Sequence, residues 1–348
     1  MVGGPWLTFG FAVLLAGAAH AELQAASVQA EVGTERLRWA NDDLFGTDNQ
    51  FTNGVSYQRF SPLVTHLDAT AGTPAVGKIL ARPLLPEGRG LHFREGWAIA
   101  HNMQTPDEIK RRELTLDDVP YMGMVGWSNS FVAFDDQRFV GVEWLVGWVG
   151  SATQARPLQR SAHRLTGARR PRGWDNQLHN EPIFNLYYSR KGKLFSGQHL
   201  DAAVSVDAAL GTYFTYGQAG LELRMGRRPG GFAYLATPVG KGMQYDATLR
   251  DPGASYAYVS AVLAGTRLLH AMPRNGNVLR RGNAWTRENR VRPEPVIGRL
   301  IVGFHYERPN WSGHLNLWMG TDAVDPDSVV ARQDPPNNFA VLTLERRL

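Results

Sequence analysis

The amino-acid sequence predicts an all-β protein: an antiparallel up-and-down transmembrane β-barrel of the outer-membrane type with about twelve strands. First, 37 Gly and 20 Pro residues and a charged share of only 20% suit short strands separated by turns. Second, apolar and polar residues alternate along much of the chain from about residue 31. Third, the N-terminal segment is typical of an export signal, and no later stretch approaches the roughly 18 to 20 apolar residues of a membrane helix. Any membrane span must therefore be a β-strand.

Residues 1–21 are predicted to be a signal peptide. An apolar run from Leu7 to Ala16 leads to Ala19-His20-Ala21, a small-x-small pattern typical of a signal-peptidase site. The run is too short to cross a bilayer as a helix. We therefore expect a mature chain that starts near Glu22 and forms a single transmembrane barrel domain over residues 22–348. The chain has no cysteine, which excludes disulfides and thiol catalysis.

The alternation is clearest between His199 and Thr212. The even positions from Leu200 to Leu210 are apolar, while the odd positions include His199 and Asp201. Alternation alone also fits a soluble sandwich, which buries its apolar face, whereas a membrane barrel turns that face to lipid. Aromatic residues near strand ends and the predicted signal peptide favour the barrel. These aromatic residues are Phe131, Phe134, Tyr187, Tyr188, Tyr213, Phe214, Tyr216 and Trp311.

The alternating runs also predict the topology. They lie near residues 31–41, 50–60, 91–103, 121–134, 138–150, 180–190, 199–212, 215–226, 256–268, 294–307, 310–321 and 338–347. An even number of strands lets both ends of the wall face the periplasm, so that even-numbered connections are inner and odd-numbered ones outer. The inner connections at 61–90 and 227–255 are longer than expected, which indicates additional structure or a miscount. The outer loop after strand five contains a predicted helix from Ala152 to Leu165, ending near Gly167.

Four polar residues are predicted to meet at the outer rim. Asn41 and Asp42 end strand one, Thr52 begins strand two, and His163 lies in the outer-loop helix. By strand parity Asn41 falls on the apolar face and Asp42 on the polar face, so the pair is expected to straddle the wall. Parity also places Thr52 on the polar face. The four side chains come from three segments that converge on one side of the barrel.

These residue types suit ester hydrolysis, although each also has a simpler explanation. The oxygens of Asp42 and Asn41 could bind calcium, which polarises an ester carbonyl, and a neutral imidazole at His163 could take a proton from water. Alternatively, Asn41 and Asp42 are ordinary turn residues, Thr52 is a good strand former, and His163 is one of ten histidines without a role.

Other functions have weaker support in the sequence. There is no Gly-x-Ser-x-Gly elbow, no His-Glu-x-x-His helix and no phosphate-cradling Gly-Lys-Ser/Thr loop. Basic runs such as Arg169-Arg170 and Gly226-Arg227-Arg228 could bind nucleic acid, but in an exported barrel they are expected to meet phosphorylated lipid or solvent. We expect no nucleic-acid partner and a monomer.

Several short motifs resemble those of a known family. Asn41-Asp42-Asp43, followed by Asp48-Asn49-Gln50-Phe51-Thr52-Asn53-Gly54, is similar to the Asn-Asp and Asp-x-x-Tyr-Thr-Asn-Gly signature of the outer-membrane lipid A 3'-O-deacylases. Further matches occur in the same order as in that family over about residues 31–190. They are Thr105-Pro106, Asp118-Val119-Pro120-Tyr121-Met122-Gly123, Val149-Gly150-Ser151, Gln159-x-x-x-His163 and Trp174-x-x-Gln177-Leu178-x-Asn180-Glu181-Pro182.

The resemblance implies a twelve-stranded outer-membrane barrel that hydrolyses lipid A of lipopolysaccharide with calcium, at a site beside an outer-loop helix. Carried over residue by residue, Asn41 and Asp42 match the metal-site pair, Thr52 the active-site threonine and His163 the general base. Phe51 replaces the family's tyrosine, and a lysine that assists the family's site has no counterpart placed by motif. Arginines in two outer loops are expected to face lipid A phosphates. They are Arg160, Arg164, Arg169, Arg170 and Arg172, and Arg280, Arg281, Arg287, Arg290 and Arg292.

Two other functions stay open from the sequence. An outer-membrane phospholipase A-like esterase would use the same calcium and histidine on glycerophospholipids. A non-enzymatic pore or binding barrel would need neither.

Overall fold

The computed structural model describes residues 33–42, 50–70, 75–167, 170–234, 243–325 and 338–348. Within these residues the chain forms twelve wall strands and a separate two-stranded sheet, and the wall strands are antiparallel and close into a barrel. The wall strands are β1 (Thr34–Asn41), β2 (Gln50–Phe60), β3 (His92–Thr105), β4 (Met122–Phe134), β5 (Arg138–Val149), β6 (Glu181–Ser196), β7 (Leu200–Gly211), β8 (Phe214–Arg227), β11 (Tyr256–Ala271), β12 (Val296–Glu307), β13 (Trp311–Gly320) and β14 (Phe339–Arg347). The separate sheet consists of β9 (Gly230–Tyr234) and β10 (Asp246–Leu249).

The predicted barrel is confirmed, and the ends of its wall strands agree with the predicted runs to within three residues, except that β6 ends six residues later than predicted. β1 pairs with β2 on one side and with β14 on the other, which closes the wall. Trp39 is exposed on the outer face and Arg38 is buried in the interior, as the alternation predicts. The predicted signal peptide, residues 1–21, lies outside the described residues.

Four helices lie in the described parts of the connections: α1 (Ala75–Ala81), α2 (Ala155–Thr166), α3 (Met272–Asn275) and α4 (Ala284–Glu288). In the part of the chain that the structure describes, no helix has the length and apolar character needed to cross a membrane.

The wall is not equally tall around its circumference. β1 has 8 residues and β14 has 9, whereas β6 and β11 have 16 each. At about 3.4 Å per residue, β1 is roughly 27 Å long and β6 roughly 54 Å. A membrane strand needs about 9 to 11 residues. The rim therefore lies closest to the membrane at β1 and β14.

The described residues of the second long inner connection, 228–234 and 243–255, form a plug inside the barrel. It contains the β9–β10 sheet, which explains why the connection at 227–255 is longer than expected. Phe232 and Tyr245 are buried and contact Phe139, whose ring centroid lies 5.8 and 5.4 Å from theirs. Because Phe139 belongs to the same buried cluster as the inward-facing Val132, the sheet fills the periplasmic half of the interior.

A network of buried charges attaches the plug to the wall. Asp246 Oδ2 accepts hydrogen bonds from Arg94 Nη1 on β3 at 2.6 Å and from the hydroxyl of Thr34 on β1 at 3.1 Å. Arg250 follows β10 and pairs with Glu307 of β12 at 2.8 Å and Glu345 of β14 at 3.2 Å. The network therefore joins strands on both sides of the seam where the barrel closes.

The outer mouth is filled as well. Leu178, Met272 and Trp285 from the outer loops are buried against inward-facing wall residues such as Met124 and Leu145. A cavity of about 20 Å³ in the interior, lined by residues including Lys191 and Arg299 among others, has room for about one water molecule. The interior of the barrel is packed at both ends.

The described residues of the first long inner connection, 61–70 and 75–91, lie instead against the outer face of the wall. They include α1 and two 3₁₀ turns, Leu67–Ala69 and Arg82–Leu84. Leu67 and Leu85 are buried in one cluster with Phe131 and Val142. Both extra-long connections therefore contain additional structure, and the strand count is correct.

Replacing Asp246 by Asn is expected to destabilise the barrel by roughly 3–5 kcal/mol, because buried Arg94 and half-buried Arg250 would each lose a charge partner. Burial alone would raise the pKa of Asp246, but Arg94, Arg250 and Arg36 hold it well below its usual range. The carboxylate therefore stabilises the fold above the ordinary carboxyl pKa near 4, and this contribution is lost only as pH falls through the lower folded pKa. Urea unfolding in detergent micelles measures the effect.

The exposed pair of Asp68 and Arg82 supplies the control. Asp68→Asn should change the free energy of unfolding by less than about 1 kcal/mol. Equal effects of Asp68→Asn and Asp246→Asn would contradict a structural role for the buried network.

Candidate active site

The two ends of the first hairpin form the low part of the outer rim. Asn41 is the last residue of β1, pairs with Asn53 of β2, and is half-buried. Asp42 follows the strand and is only 1% exposed. The two neighbours differ in burial in the way that the straddling arrangement predicts. The loop between them and β2, which includes Asp43 and Asp48, lies outside the described residues.

Thr52 lies at an irregularity in the sheet. The register between β2 and β3 shifts between Phe51, which pairs with Gln104, and Asn53, which pairs with Met103. Thr52 is thus an extra residue at a β-bulge, a feature that often occurs at barrel rims and beside active sites. The bulge interrupts the alternation, so parity does not assign Thr52 to the polar face as the sequence predicts. The side chain of Thr52 lies outside what the structure describes.

His163 lies in the last turn of α2, where the sequence predicts a helix. The chain reaches α2 through the turn Ser151–Thr153 and Gln154, which has φ 60°, and leaves it at Gly167, which has φ 72°. A glycine at a helix C-terminus tolerates this left-handed conformation without steric cost. His163 is half-buried and lies roughly 12 Å along the helix axis from Ala155.

The first residues of α2 are held against the outer face of the wall. The ring N–H of His101, at Nε2, donates a hydrogen bond to the carbonyl oxygen of Thr153 at 3.0 Å. His101 lies two residues after Ile99, which is exposed on the outer face, so both point outward. On the next strand, a Cβ at Gly123 would overlap Thr153 Oγ1 and lie only 2.5 Å from the Ala155 side chain. The helix therefore begins outside the barrel rather than over its mouth.

A second attachment holds the middle of α2. The indole N–H of Trp174 donates to Gln159 Oε1 at 2.7 Å, and both residues are buried. The Trp174 ring packs on Tyr121, with centroids 4.9 Å apart. Because residues four apart share a helix face, His163 lies one turn beyond Gln159 on the anchored side. The spacing of the Gln159-x-x-x-His163 motif thus connects an anchor to the proposed base.

The structure brings the segments that carry the predicted residues to one sector of the rim. Asn41 pairs with Asn53, Asn53 pairs with Met103, and Met103 is buried in one cluster with Ala155 at the start of α2. The ends of β1, β2 and β3 and the helix that carries His163 are therefore neighbours on the outer side. This is the convergence that the topology predicts.

Sequence reasoning missed His101, Tyr121 and Trp174 as structural parts of this sector. The signal for His101 was present, because the period-two pattern places a histidine at a lipid-facing position beyond Ile99. No local signal identifies Trp174 as the partner of Gln159, since these residues come from different segments of one long loop.

The arginine-rich loops provide positive charge beside this sector. In the first loop, burial and the neighbouring Arg156 and Arg170 lower the pKa of Arg160, which indicates crowding of like charge. In the second loop, the carboxylate of Glu181 accepts hydrogen bonds from the backbone N–H groups of Val278, Leu279 and Arg280, at 3.0, 3.1 and 2.8 Å. Arg169, by contrast, lies outside the described residues.

The donor set at the end of β1 suits a hard cation. Asn41 supplies an amide oxygen and Asp42 a carboxylate, both of which calcium prefers. No cluster of three or more His, Asp or Glu side chains able to hold a metal occurs among the described residues. A calcium site would therefore combine this pair with backbone carbonyls, water or residues of the undescribed loop.

Gly123→Ala is expected to displace the start of α2, because the new methyl group would overlap Thr153 and Ala155. The helix contains Arg160 and Arg164, neither of which is followed by proline, so loosening should accelerate tryptic cleavage there several-fold. Mass spectrometry of the fragments measures the rate.

Gly265→Ala is the matched control, since Gly265 is also a strand glycine and nothing lies within 4 Å of the position that a Cβ would take there. It should leave the cleavage rate unchanged. Equal cleavage of both variants and the wild type would show that Gly123 does not position α2.

A family model and one solved structure agree with this architecture. The family model described as outer membrane protein LpxR matches residues 7–344. The structure of LpxR from Salmonella typhimurium matches with 14% identity and a TM-score of 0.67, over 90% of this chain and all of that chain. The β domain of the Bordetella autotransporter BrkA matches with 9% identity and a TM-score of 0.42, over 92% and 99% of the two chains. No curated protein sequence matches.

Proposed function

Because the chain belongs to the family of the outer membrane protein LpxR, and is thus an outer-membrane barrel, we propose that it is a lipid A 3'-O-deacylase. In this proposal it hydrolyses the ester that links the 3' acyloxyacyl group to lipid A. The enzyme is then a calcium-dependent carboxylic ester hydrolase, and lipopolysaccharide in the outer membrane is its substrate.

The observation that carries the proposal is the position of α2 on the outer face of the wall. His101 and Gly123 hold the start of the helix there, above the outward-facing residues of β3 and β4. The adjacent β1 is close to the minimum length that spans a bilayer, so its outer end lies near the level of the outer leaflet. A lipid substrate can reach this sector sideways from the membrane without entering the barrel.

His163 is proposed as the general base. Its neutral imidazole takes a proton from water, the resulting hydroxide adds to the acyl carbon, and the bond from that carbon to the 3' oxygen breaks. The proton on His163 then passes to the leaving 3' oxygen, which restores the neutral imidazole. Thr52, at the bulge of β2, is proposed to position His163, the water or the ester.

Asn41 and Asp42 are proposed to hold calcium at the end of β1. When bound, calcium supplies a positive charge that polarises the ester carbonyl and stabilises the developing oxyanion. Asp42 is buried beside the half-buried Asn41, so a carboxylate and an amide are available in adjacent positions at the rim.

The arginine-rich loops are proposed to bind the phosphates of lipid A. Guanidinium groups bind phosphate through two parallel hydrogen bonds. The bonds from the backbone of Val278, Leu279 and Arg280 to the side chain of Glu181 fix one such loop on β6. We further propose that residues 1–21 direct export and are removed, and that the barrel acts as a monomer. The packed interior argues against an open pore.

His163→Ala is expected to lower the rate of acyl release by about 10²- to 10⁴-fold, because the general base is lost. The measurement is mass spectrometry of lipid A after incubation with purified protein and calcium. His199→Ala changes an exposed histidine in an inner turn and should retain full activity. Both variants should show wild-type heat-modifiable mobility on gels.

The same vesicles should contain glycerophospholipid as a competing ester. Fatty acid released from the phospholipid while lipid A stays intact would overturn the deacylase proposal and support a phospholipase A-like esterase. Unchanged lipids of both kinds with a folded wild-type protein would instead support a non-enzymatic barrel.

Asp42→Asn is expected to raise the calcium concentration for half-maximal activity about tenfold or more, because one charged ligand is lost. Calorimetry without substrate should show that Asp42→Asn also binds calcium more weakly than the wild type. His163→Ala, by contrast, should bind calcium as the wild type does. Asp68→Asn, which removes an exposed carboxylate elsewhere, is the control. An unchanged calcium requirement in Asp42→Asn would remove Asp42 from the metal site.

A further inference from the structure

The described part of the β2–β3 connection, which the proposed reaction does not use, covers the outer face of the wall near the periplasmic end. A barrel normally presents bare strands to lipid at this position. Ile99 on β3 is exposed on that face, and Glu95, four residues earlier, therefore points the same way. Glu95 pairs in register with Phe131 of β4. Both are buried beneath the connection.

Helix α1 packs directly on this part of the wall. A Cβ at Gly77 would lie 2.5 Å from the side-chain oxygen of Asn129 and 3.5 Å from the Phe131 ring. Ala81, one turn later, is fully buried. Gly77 and Ala81 therefore form the face of α1 that contacts the strands, and their small size permits the close approach.

The opposite face of α1 is apolar and exposed. Val76, Ile79 and Leu80 are 60%, 66% and 47% exposed, and Leu84 extends the patch beyond the helix. The charged residue of α1, Lys78, directs its ammonium group back to the carbonyl oxygens of Thr70 at 2.7 Å and Asp68 at 3.5 Å. The helix thus presents hydrocarbon outward.

The depth of α1 follows from the strand that it contacts. Asn129 lies five residues above the inner end of β4 at Phe134, which is about 17 Å along the strand and roughly 13 Å along the barrel axis. This height falls within the lower half of the bilayer. The exposed face of α1 is also continuous with the apolar outer wall, where Trp144 and Leu186 border the same cluster.

We infer that α1 is an in-plane membrane helix whose exposed face contacts the acyl chains of phospholipids in the periplasmic leaflet. The connection covers Glu95 and Asn129, two polar groups that would otherwise face hydrocarbon, and replaces them with Val76, Ile79 and Leu80. Burial of a carboxylate in lipid is strongly unfavourable, so the cover makes this wall compatible with the membrane. The inference does not depend on the reaction that the barrel catalyses.

Because the chain has no cysteine, single cysteines can be labelled at chosen sites. Ile79→Cys tests the exposed face of α1, Ile99→Cys is the lipid-facing reference on the wall, and Gln137→Cys in an exposed inner turn is the aqueous reference. Each is labelled with bimane, and the folded protein is placed in phosphatidylcholine–phosphatidylglycerol vesicles that contain doxyl-labelled phospholipid. Val76→Cys replaces Ile79→Cys if the latter does not fold.

The extent of quenching of bimane at position 79 should lie within about twofold of that at position 99. It should be several-fold greater than at position 137, because an interfacial helix lies among acyl chains. Emission and quenching like those at Gln137 would overturn the inference and place the helix in water. A second contradiction would be weak quenching at Ile79 together with energy transfer between labelled copies, since a second protein molecule would then cover the patch.

Discussion

The constraint on which the structure depends is that every backbone group in hydrocarbon must find a partner within the protein. All eight residues of β1 pair with β14 on one side and with β2 on the other, so the sheet has no free edge at its seam. Closure in this register also fixes direction: Arg36 and Arg38 must point inward, and Trp39 and Asn41 outward. The polar interior and the outward-facing sector of the candidate active site are consequences of the same pairing.

The interior charges need compensation because they cannot reach water freely. Asp246 and Arg250 enter from the plug and pair with Arg36, Arg94 and Glu345 of the wall. The plug fills the described interior at the periplasmic end, and the outer loops fill it at the outer end. The described interior therefore has no open path for a substrate. Chemistry on a lipid is therefore favoured on the outside of the wall, where α2 is held. The filled core is thus consistent with a candidate site on the outside of the wall.

The sequence was informative wherever structure is periodic or local. Alternation located the twelve wall strands, and the turn chemistry at Gly167 located the end of α2. It failed where distant segments meet: Arg94 and Asp246 are 152 residues apart, and no local pattern shows that they pair. The bulge at Thr52 is similar, because a register shift depends on the neighbouring strand rather than on the residue itself. The calcium ligands and the role of His163 come from resemblance and remain predictions.

Because the wall is uneven in height, the sides of the barrel differ in how closely a membrane lipid can approach the outer rim. Its shortest strands, β1 and β14, and its tallest, β6 and β11, lie in different sectors of the circumference. Only a lipid that approaches the short sector meets the rim at its own level. For the proposed activity, a neighbouring protein seated against β1 and β2 would therefore block the approach of the lipid, while one seated against β7 and β8 would leave that approach open.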